Sequence, residues 1–184
     1  RKLWLLNGAH TVLSTTARSL GHATVGDAIA DPTVRGWVDE FWNTAETWLP
    51  EPELELGAYR GSLIERFSNT RIVHHLDQIA AETTMKLRFR IVPVLLSERE
   101  AGRMPEGCVR PLAGWIRALR SGTRDPDASR AQIDEILADT AGEPLRAAAA
   151  LMALLHPSLG ADENLVARVS EEAERAVARP VPSR

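Results

Sequence analysis

Cys108 is the single cysteine among 184 residues. An internal disulfide is therefore excluded, and so is a cysteine-rich metal site. Tyrosine occurs once and phenylalanine three times. With alanine abundant, this scarcity favours helix over sheet. No long hydrophobic run exists. The longest, Val92–Leu96 and Ala147–Leu155, are far too short to span a bilayer, so no membrane partner is expected. There is no basic excess either: the net charge is −3 and the pI about 6.0. Nucleic-acid binding is not expected from such a balance. No secretory leader pattern is visible, and the expected location is cytoplasmic.

What is present fits one globular domain. Apolar residues make up 44% and charged residues 26%, enough to bury a core and stay in solution. A single helical domain over residues 1–184 is the expectation. The chain opens at Arg1 within an amphipathic run, which reads as a fragment whose upstream part is absent. The basic residues are nearly all arginine, with lysine only at Lys2 and Lys86. Codon bias explains such a preference. A second explanation is chemical: lysine can lose its proton when buried, and arginine cannot.

The chain reads as a string of helices. The first runs over Lys2–Leu20 and ends at Gly21 in a left-handed cap. Thr24 caps a short helix to Ala30. Asp31-Pro32 starts the next, Asp31 as N-cap and Pro32 as the first helical residue. That helix runs to Leu49, ends at Pro50-Glu51-Pro52, and carries Trp37, Phe41, Trp42 and Trp48. Leu54–Phe67 is helical, and Asn69 is a break. Ile72–Leu96 is helical, with breaks near Thr83-Thr84 and Pro93. Gly102 to Gly107 is a loop, Pro111–Arg120 a helix, and Gly122 to Asp127 a connection. Helices follow at Ala128–Thr140, Pro144–Leu155 and Asp162–Ala178, and Arg179–Arg184 should fray. The best strand signal, Leu87–Val94, is partial and interrupted by Pro93. The fold expectation is all-α.

Three groups of residues can carry chemistry. On an α-helix Asn7 falls about 140° and His10 about 80° from Lys2. The three then share less than half the helix circumference. A lysine acts as a general base when burial lowers its pKa. Asparagine and histidine can donate hydrogen bonds to an oxygen gaining charge. The bland alternative is a solvated helix face. Lys86 and Arg90, four apart, can face one anionic or hydroxyl-rich ligand; the alternative is a solvated basic strip. His74-His75 would point about 100° apart on a helix, a poor two-ligand site. No other cluster has metal spacing, so no metal is expected. Cys108 reads as a packing residue. Gly8, Gly21 and Gly26 do not form a dinucleotide fingerprint.

The run Lys2-Leu3-Trp4-Leu5-Leu6-Asn7-Gly8-Ala9-His10-Thr11 resembles the K-x-x-x-x-N-G-x-H signature of the mannitol dehydrogenase family. This family comprises polyol-specific long-chain dehydrogenases and hexuronate reductases. TVGDAIADP at residues 24–32 and LIERFSN at 63–69 resemble the segments that follow. Gln78–Pro93 resembles the substrate-side helix. The resemblance is strongest over residues 1–120. It implies a helical C-terminal domain normally joined to an N-terminal Rossmann-like domain that binds NAD or NADP. It implies Lys2 as general base, Asn7 and His10 as groups that hold and polarise the reacting oxygen, and Lys86 as a substrate-binding residue. Gln78 and Arg90 lie on the same substrate-side helix. Many relatives carry D-G-S where this chain has Glu82-Thr83-Thr84, and mannitol-oxidising members can carry arginine at the place of Gln78. N-G-A-H-T is closer to hexuronate reductases, and E-R-F-S-N closer to mannitol enzymes.

The expected function is the catalytic and substrate-binding domain of an NAD(P)-dependent oxidoreductase that interconverts a secondary alcohol and its keto form. The substrate is a polyol or a sugar acid. The chain alone is expected to be inactive, with its own nucleotide domain as partner. Trp4 and the Leu3–Leu6 surface are the expected docking face. The rival is a non-catalytic helical interaction module degenerate from that family. A metal-dependent helical hydrolase is a third reading and lacks ligand clusters.

Overall fold

The computed structural model describes residues 2–49, 55–69, 71 and 73–175. The expected proline stop at 50–52 and the expected fraying of 179–184 lie outside these residues. Among those described there is no strand; one isolated antiparallel bridge joins Thr24 to His75. No helix is long and apolar enough to cross a membrane.

The expected first helix is three segments. Lys2–Gly8 is a π-helix, α1 spans Ala9–Thr16, and a 3₁₀ turn spans Ala17–Leu20. Gly21 then closes the run at φ 85°, a left-handed position suited to glycine. Thr24 caps α2 (Val25–Ala30) by accepting from Asp27 N. Asp31 caps α3 (Pro32–Glu46) by accepting from Thr33 N at 2.8 Å. α3 ends three residues earlier than expected, because Trp48 and Leu49 leave the helix in i→i+3 turns. α4 covers Leu56–Phe67.

The 72–96 stretch divides into α5 (Leu76–Ala80), α6 (Thr83–Arg90) and α7 (Val92–Glu100). The weak strand signal at 87–94 is helical. The first break falls at Glu82, at φ 55°, a conformation that costs about 1 kcal/mol or more in a non-glycine residue. Bonds from the 125–128 connection offset it. Glu82 N donates to Pro126 O at 2.7 Å, and Thr84 N donates to Asp127 Oδ2 at 2.9 Å. The second break is Ile91, next to Pro93 in the first turn of α7.

α8 (Glu106–Arg120) starts five residues before the expected Pro111, which sits inside it. α9 (Arg130–Asp139), α10 (Pro144–Leu155), α11 (Pro157–Ala161) and α12 (Glu163–Glu174) complete the chain.

The core forms where α1, α3 and α12 pack on α8. Leu13, Phe41, Trp42, Leu112, Ile116 and Val169 are fully buried there. Each such side chain contributes about 1.5–3 kcal/mol. Leu5 and Leu6 belong to this core rather than to a docking face; Leu3 is exposed and Trp4 half-buried. Cys108 is fully buried, and burial pushes its thiol well above the usual range. It is a packing residue.

α8 approaches α1 through Gly114, where a Cβ would collide with the Thr15 carbonyl. It approaches α3 through Gly107, where a Cβ would lie 2.6 Å from the Phe41 backbone. Gly36 in α3, by contrast, has nothing within 4 Å of a built Cβ. Gly114→Ala should therefore destabilise by about 1–3 kcal/mol through overpacking. Gly36→Ala should stabilise by about 0.4–1 kcal/mol. Denaturant unfolding of both variants checks the pair; equal effects would refute the close-approach argument.

Candidate active site

The π-helix decides the phase of the first candidate group. Its hydrogen bonds run i→i+5, so residues five apart come near one face. Lys2 and Asn7 are five apart. The α-helical separation of about 140° does not hold here, and the widened turn brings them closer than the sequence spacing implies. Two contacts from α3 hold this turn. Trp42 Nε1 donates to Leu5 O at 2.7 Å, and the Phe41 ring presses on Gly8, where no Cβ would fit. Past Gly8 the chain tightens into α1, which carries His10.

Lys2 is exposed, while Asn7 and His10 are partly buried. Among the described residues, none of the three side chains makes a hydrogen bond or ion pair. His10 Nε2 is buried without a partner. The His10 ring stands 4.9 Å from the Phe67 ring and 6.2 Å from the His74 ring, edge-on to the latter. His10, Val25, Arg66, Phe67 and His74 line a cavity of about 10 Å³, room for about one water-sized atom. Burial first, then the positive charges of His74, Arg90, Arg66 and Lys86, lower the His10 pKa from 6.5 to about 4. The ring is neutral at physiological pH, with one nitrogen a donor and the other an acceptor.

Arg90 reaches this group from the last turn of α6. Its Nη1 donates to Asn7 O and to Thr11 Oγ1, both at 3.2 Å. Burial lowers its pKa. Lys86 has a different position from the one its spacing with Arg90 implies. Its Nζ donates to Ile79 O at 2.7 Å and Ala81 O at 2.5 Å, capping the carbonyl end of α5. Burial, then Arg90, lowers its pKa. Gln78 is exposed on α5 and makes no hydrogen bond to the group. Asn7, His10 and Arg90 are thus brought together, Lys86 lies beside them with two of its protons engaged, and Gln78 stands apart.

Residues 73–75 are extended, not helical, and pair with residues 23–25 through Val25 N to His74 O and Leu76 N to Ala23 O. This sets the His74 ring 6.2 Å from that of His10, while His74 itself stays exposed. Arg66 and Phe67 were visible only as members of the E-R-F-S-N run. Thr11, which accepts from Arg90, was visible only as the last residue of the N-G-A-H-T run. Among the described residues, no three His, Cys, Asp or Glu side chains cluster as metal ligands. No glycine-rich strand-to-helix turn for a dinucleotide occurs among them either.

Comparison with known proteins gives the following. Residues 1–176 match the family described as mannitol dehydrogenase C-terminal domain. The altronate oxidoreductase of Enterobacter sp. (strain 638) is 35% identical over 137 residues, 73% of this chain and 28% of that protein. The altronate oxidoreductase of Pectobacterium carotovorum subsp. carotovorum (strain PC1) is 36% identical over 132 residues, 68% of this chain and 27% of that protein. Among solved structures, Pseudomonas fluorescens mannitol 2-dehydrogenase, a ternary complex with NAD and D-mannitol, superposes with TM-score 0.81. It is 20% identical, over 94% of this chain and 36% of that one. A substrate-free D-sorbitol dehydrogenase gives TM-score 0.79 at 22% identity, over 96% of this chain and 38% of that one. The two structures show the shared fold. The chain spans little more than a quarter of the length of the altronate oxidoreductases it matches.

Two measurements test the site geometry. Above about pH 6.5, His10 is neutral in both the folded and unfolded chain. As the pH falls from 6.5 towards about 4, only the unfolded chain takes up the proton, so stability falls across that window. The wild type should lose about 3 kcal/mol more than His10→Gln there, read by denaturant unfolding at several pH values. Parallel curves would mean that His10 protonates freely. Lys86→Ala orphans two carbonyls and should cost about 1–2 kcal/mol. An unchanged unfolding midpoint would remove Lys86 from its capping role.

Proposed function

The chain belongs to the mannitol dehydrogenase family, as its helical C-terminal domain, and on that premise we propose that it is the catalytic and substrate-binding part of an NAD(P)-dependent oxidoreductase. The reaction interconverts a secondary alcohol of a polyol or sugar acid and its keto form. One observation carries the reading. Asn7 and His10 lie partly buried at the π–α junction, Lys2 is exposed at the start of the same π-helix, and none of their side-chain polar atoms is engaged within the described chain. Polar groups inside a packed junction are normally satisfied internally. Asn7 and His10 left free on a turn that also carries a lysine fit a ligand.

In oxidation the Lys2 amine takes the proton of the substrate hydroxyl. The Asn7 amide and the neutral His10 imidazole donate hydrogen bonds to the same oxygen as charge builds on it. Arg90, tied to Asn7 O and Thr11 Oγ1, holds the backbone that carries both donors. Lys86 keeps one N–H for a substrate oxygen beyond the two it spends on carbonyls. In reduction the Lys2 ammonium returns the proton. NAD or NADP, when bound, supplies the hydride acceptor.

No dinucleotide cradle occurs among the described residues, so the cofactor is held by a nucleotide domain outside this chain. That domain is the partner, and the chain alone is inactive. Leu3 on the π-turn, and Met85 and Phe89 four apart on the adjacent α6, are exposed apolar side chains. They form the face toward that domain, and covering them also removes water from Lys2.

The test uses the full-length enzyme on polyols and sugar acids. Arginine keeps the charge of Lys2 but cannot release a proton at these pH values. Lys2→Arg should therefore lose oxidation nearly as completely as Lys2→Ala, by about 10²–10⁴-fold in kcat. The pH dependence of kcat should flatten in both. A Lys2→Arg enzyme that keeps most of its kcat and pH dependence would make Lys2 a binding cation. Wild-type inactivity on every substrate would favour the interaction-module reading.

A further inference from the structure

The π-run Lys2–Gly8 leaves a hydrogen-bond problem at its C-terminal end. In a π-helix each N–H reaches the carbonyl five residues back, and in an α-helix the carbonyl four back. Where one pattern gives way to the other, the ladder passes over one carbonyl. The run ends at Gly8 and α1 begins at Ala9, so that carbonyl lies four or five residues earlier. Leu5 O stands there, on a fully buried residue. Its donor comes from α3: Trp42 Nε1 donates to it at 2.7 Å.

The dependence runs both ways. A buried indole N–H needs an acceptor, and Trp42 is fully buried. If the first run tightened to α-helical bonding, Leu5 O would turn to a helical N–H and the indole would lose its acceptor. The neighbouring residue of α3 seats the same junction by shape. A Cβ on Gly8 would collide with the tip of the Phe41 ring, yet would stand 3.6 Å from Phe41 Cδ1. Two consecutive residues of α3 thus hold the wide turn, one by a hydrogen bond and one by filling the space above Gly8.

We propose that Trp42 is a positioning residue for proton transfer: its indole N–H keeps the first run in π form, and so keeps the Lys2 amine within reach of the oxygen that Asn7 and His10 hold. The proposal rests on the oxidoreductase reading above. Trp42 touches no reacting atom. It acts through the spacing of Lys2 and Asn7, which π bonding brings near one face and α bonding sets about 140° apart.

The experiment is a double-mutant cycle in the full-length enzyme, on a polyol or sugar acid that it oxidises. Trp42→Phe keeps a ring in the core and removes the N–H. Leu5 O can then take a helical donor, so the variant should fold. Its kcat for oxidation should fall about 10–100-fold from the misplaced base, with the cofactor KM unchanged. In a Lys2→Ala background the same change should cost less than about 3-fold, because the base it positions is gone. Trp37→Phe, the same substitution on the same helix at an indole that lies under Arg110, should leave kcat unchanged. Gly8→Ala should also lower kcat, and adding Phe41→Leu, which stops at the Cδ atoms, should restore part of it. A Trp42→Phe enzyme that loses stability but keeps its kcat overturns the proposal and makes Trp42 a core residue only. An equal loss of kcat with and without Lys2 overturns it too. Should Trp42→Phe not fold, Gly8→Ala decides: an unchanged kcat, or a loss that Phe41→Leu does not relieve, overturns the proposal. If the enzyme oxidises no polyol or sugar acid, or if Lys2→Ala keeps the wild-type kcat, the parent reading fails and this one with it.

Discussion

The indole N–H of Trp42 on Leu5 O is the contact on which the site geometry depends. A π-helix is rare because its backbone geometry is poorer than that of an α-helix. Seven residues of it persist here because α3 grips them from below. The fully buried Trp42 donates to a carbonyl inside the turn, and the Phe41 ring fills the space above Gly8. Gly8 is costly in a helix on propensity alone, by about 1 kcal/mol relative to alanine. Its missing side chain is what admits Phe41. Without that seat the run would relax to α-helical spacing, and Lys2 and Asn7 would stand about 140° apart. Site geometry is therefore set by the packing of α3.

Arginine serves two ends in this chain. Arg110 bonds Glu40 of α3 at 2.6 Å and Glu172 of α12 at 3.0 Å. Arg168 bonds Glu106 of α8 at 2.7 Å and Glu172 at 3.1 Å. Glu172 is mostly buried and has these arginines around it, so the network links three core helices. Networks of this kind outweigh isolated surface pairs. The arginines near His10 follow the opposite rule. Arg90 leans on carbonyl and hydroxyl oxygens, and Arg66 shares a cavity with two histidines. One set of guanidinium groups joins helices through carboxylates, and Arg90 joins α6 to the first helical run through neutral oxygens.

What the sequence revealed was local, and what it hid was tertiary. Gly21, Thr24, Asp31 and Pro32 mark their helix ends through contacts within three residues, and all four do so as read. The π-turn depends on Trp42 and Phe41, more than thirty residues away, and no local signal encodes it. Pro111 reads as a helix start because proline favours that position. The helix begins earlier because Gly107 can lie directly on the Phe41 backbone. Lys86 reads as a ligand-facing partner of Arg90. Its amine goes instead to the end of α5, because Glu82 turns the chain there with bonds from residues 126–128. His74 reads as a surface residue and is exposed, but the pairing of residues 23–25 with 74–76, far apart in sequence, is what sets its ring beside His10. Asn7 and His10 were legible together, with Lys2, from helical spacing and polar identity; Arg90 reads with Lys86, and its bond to Asn7 O crosses more than eighty residues of sequence.

Fold and site differ in how complete they are. The core is closed within this chain: Trp42, Leu13, Ile116 and Val169 are fully buried with no help from outside. The site is not closed, since Lys2 and Leu3 face solvent. That difference has an energetic logic. In water, at high dielectric, two unit charges 4 Å apart interact by only about 1 kcal/mol. The cations near His10 are tolerable while the face is open. On the proposed reading, a second domain that covers the face removes water, and the same charges and the Asn7 and His10 donors then act several times more strongly.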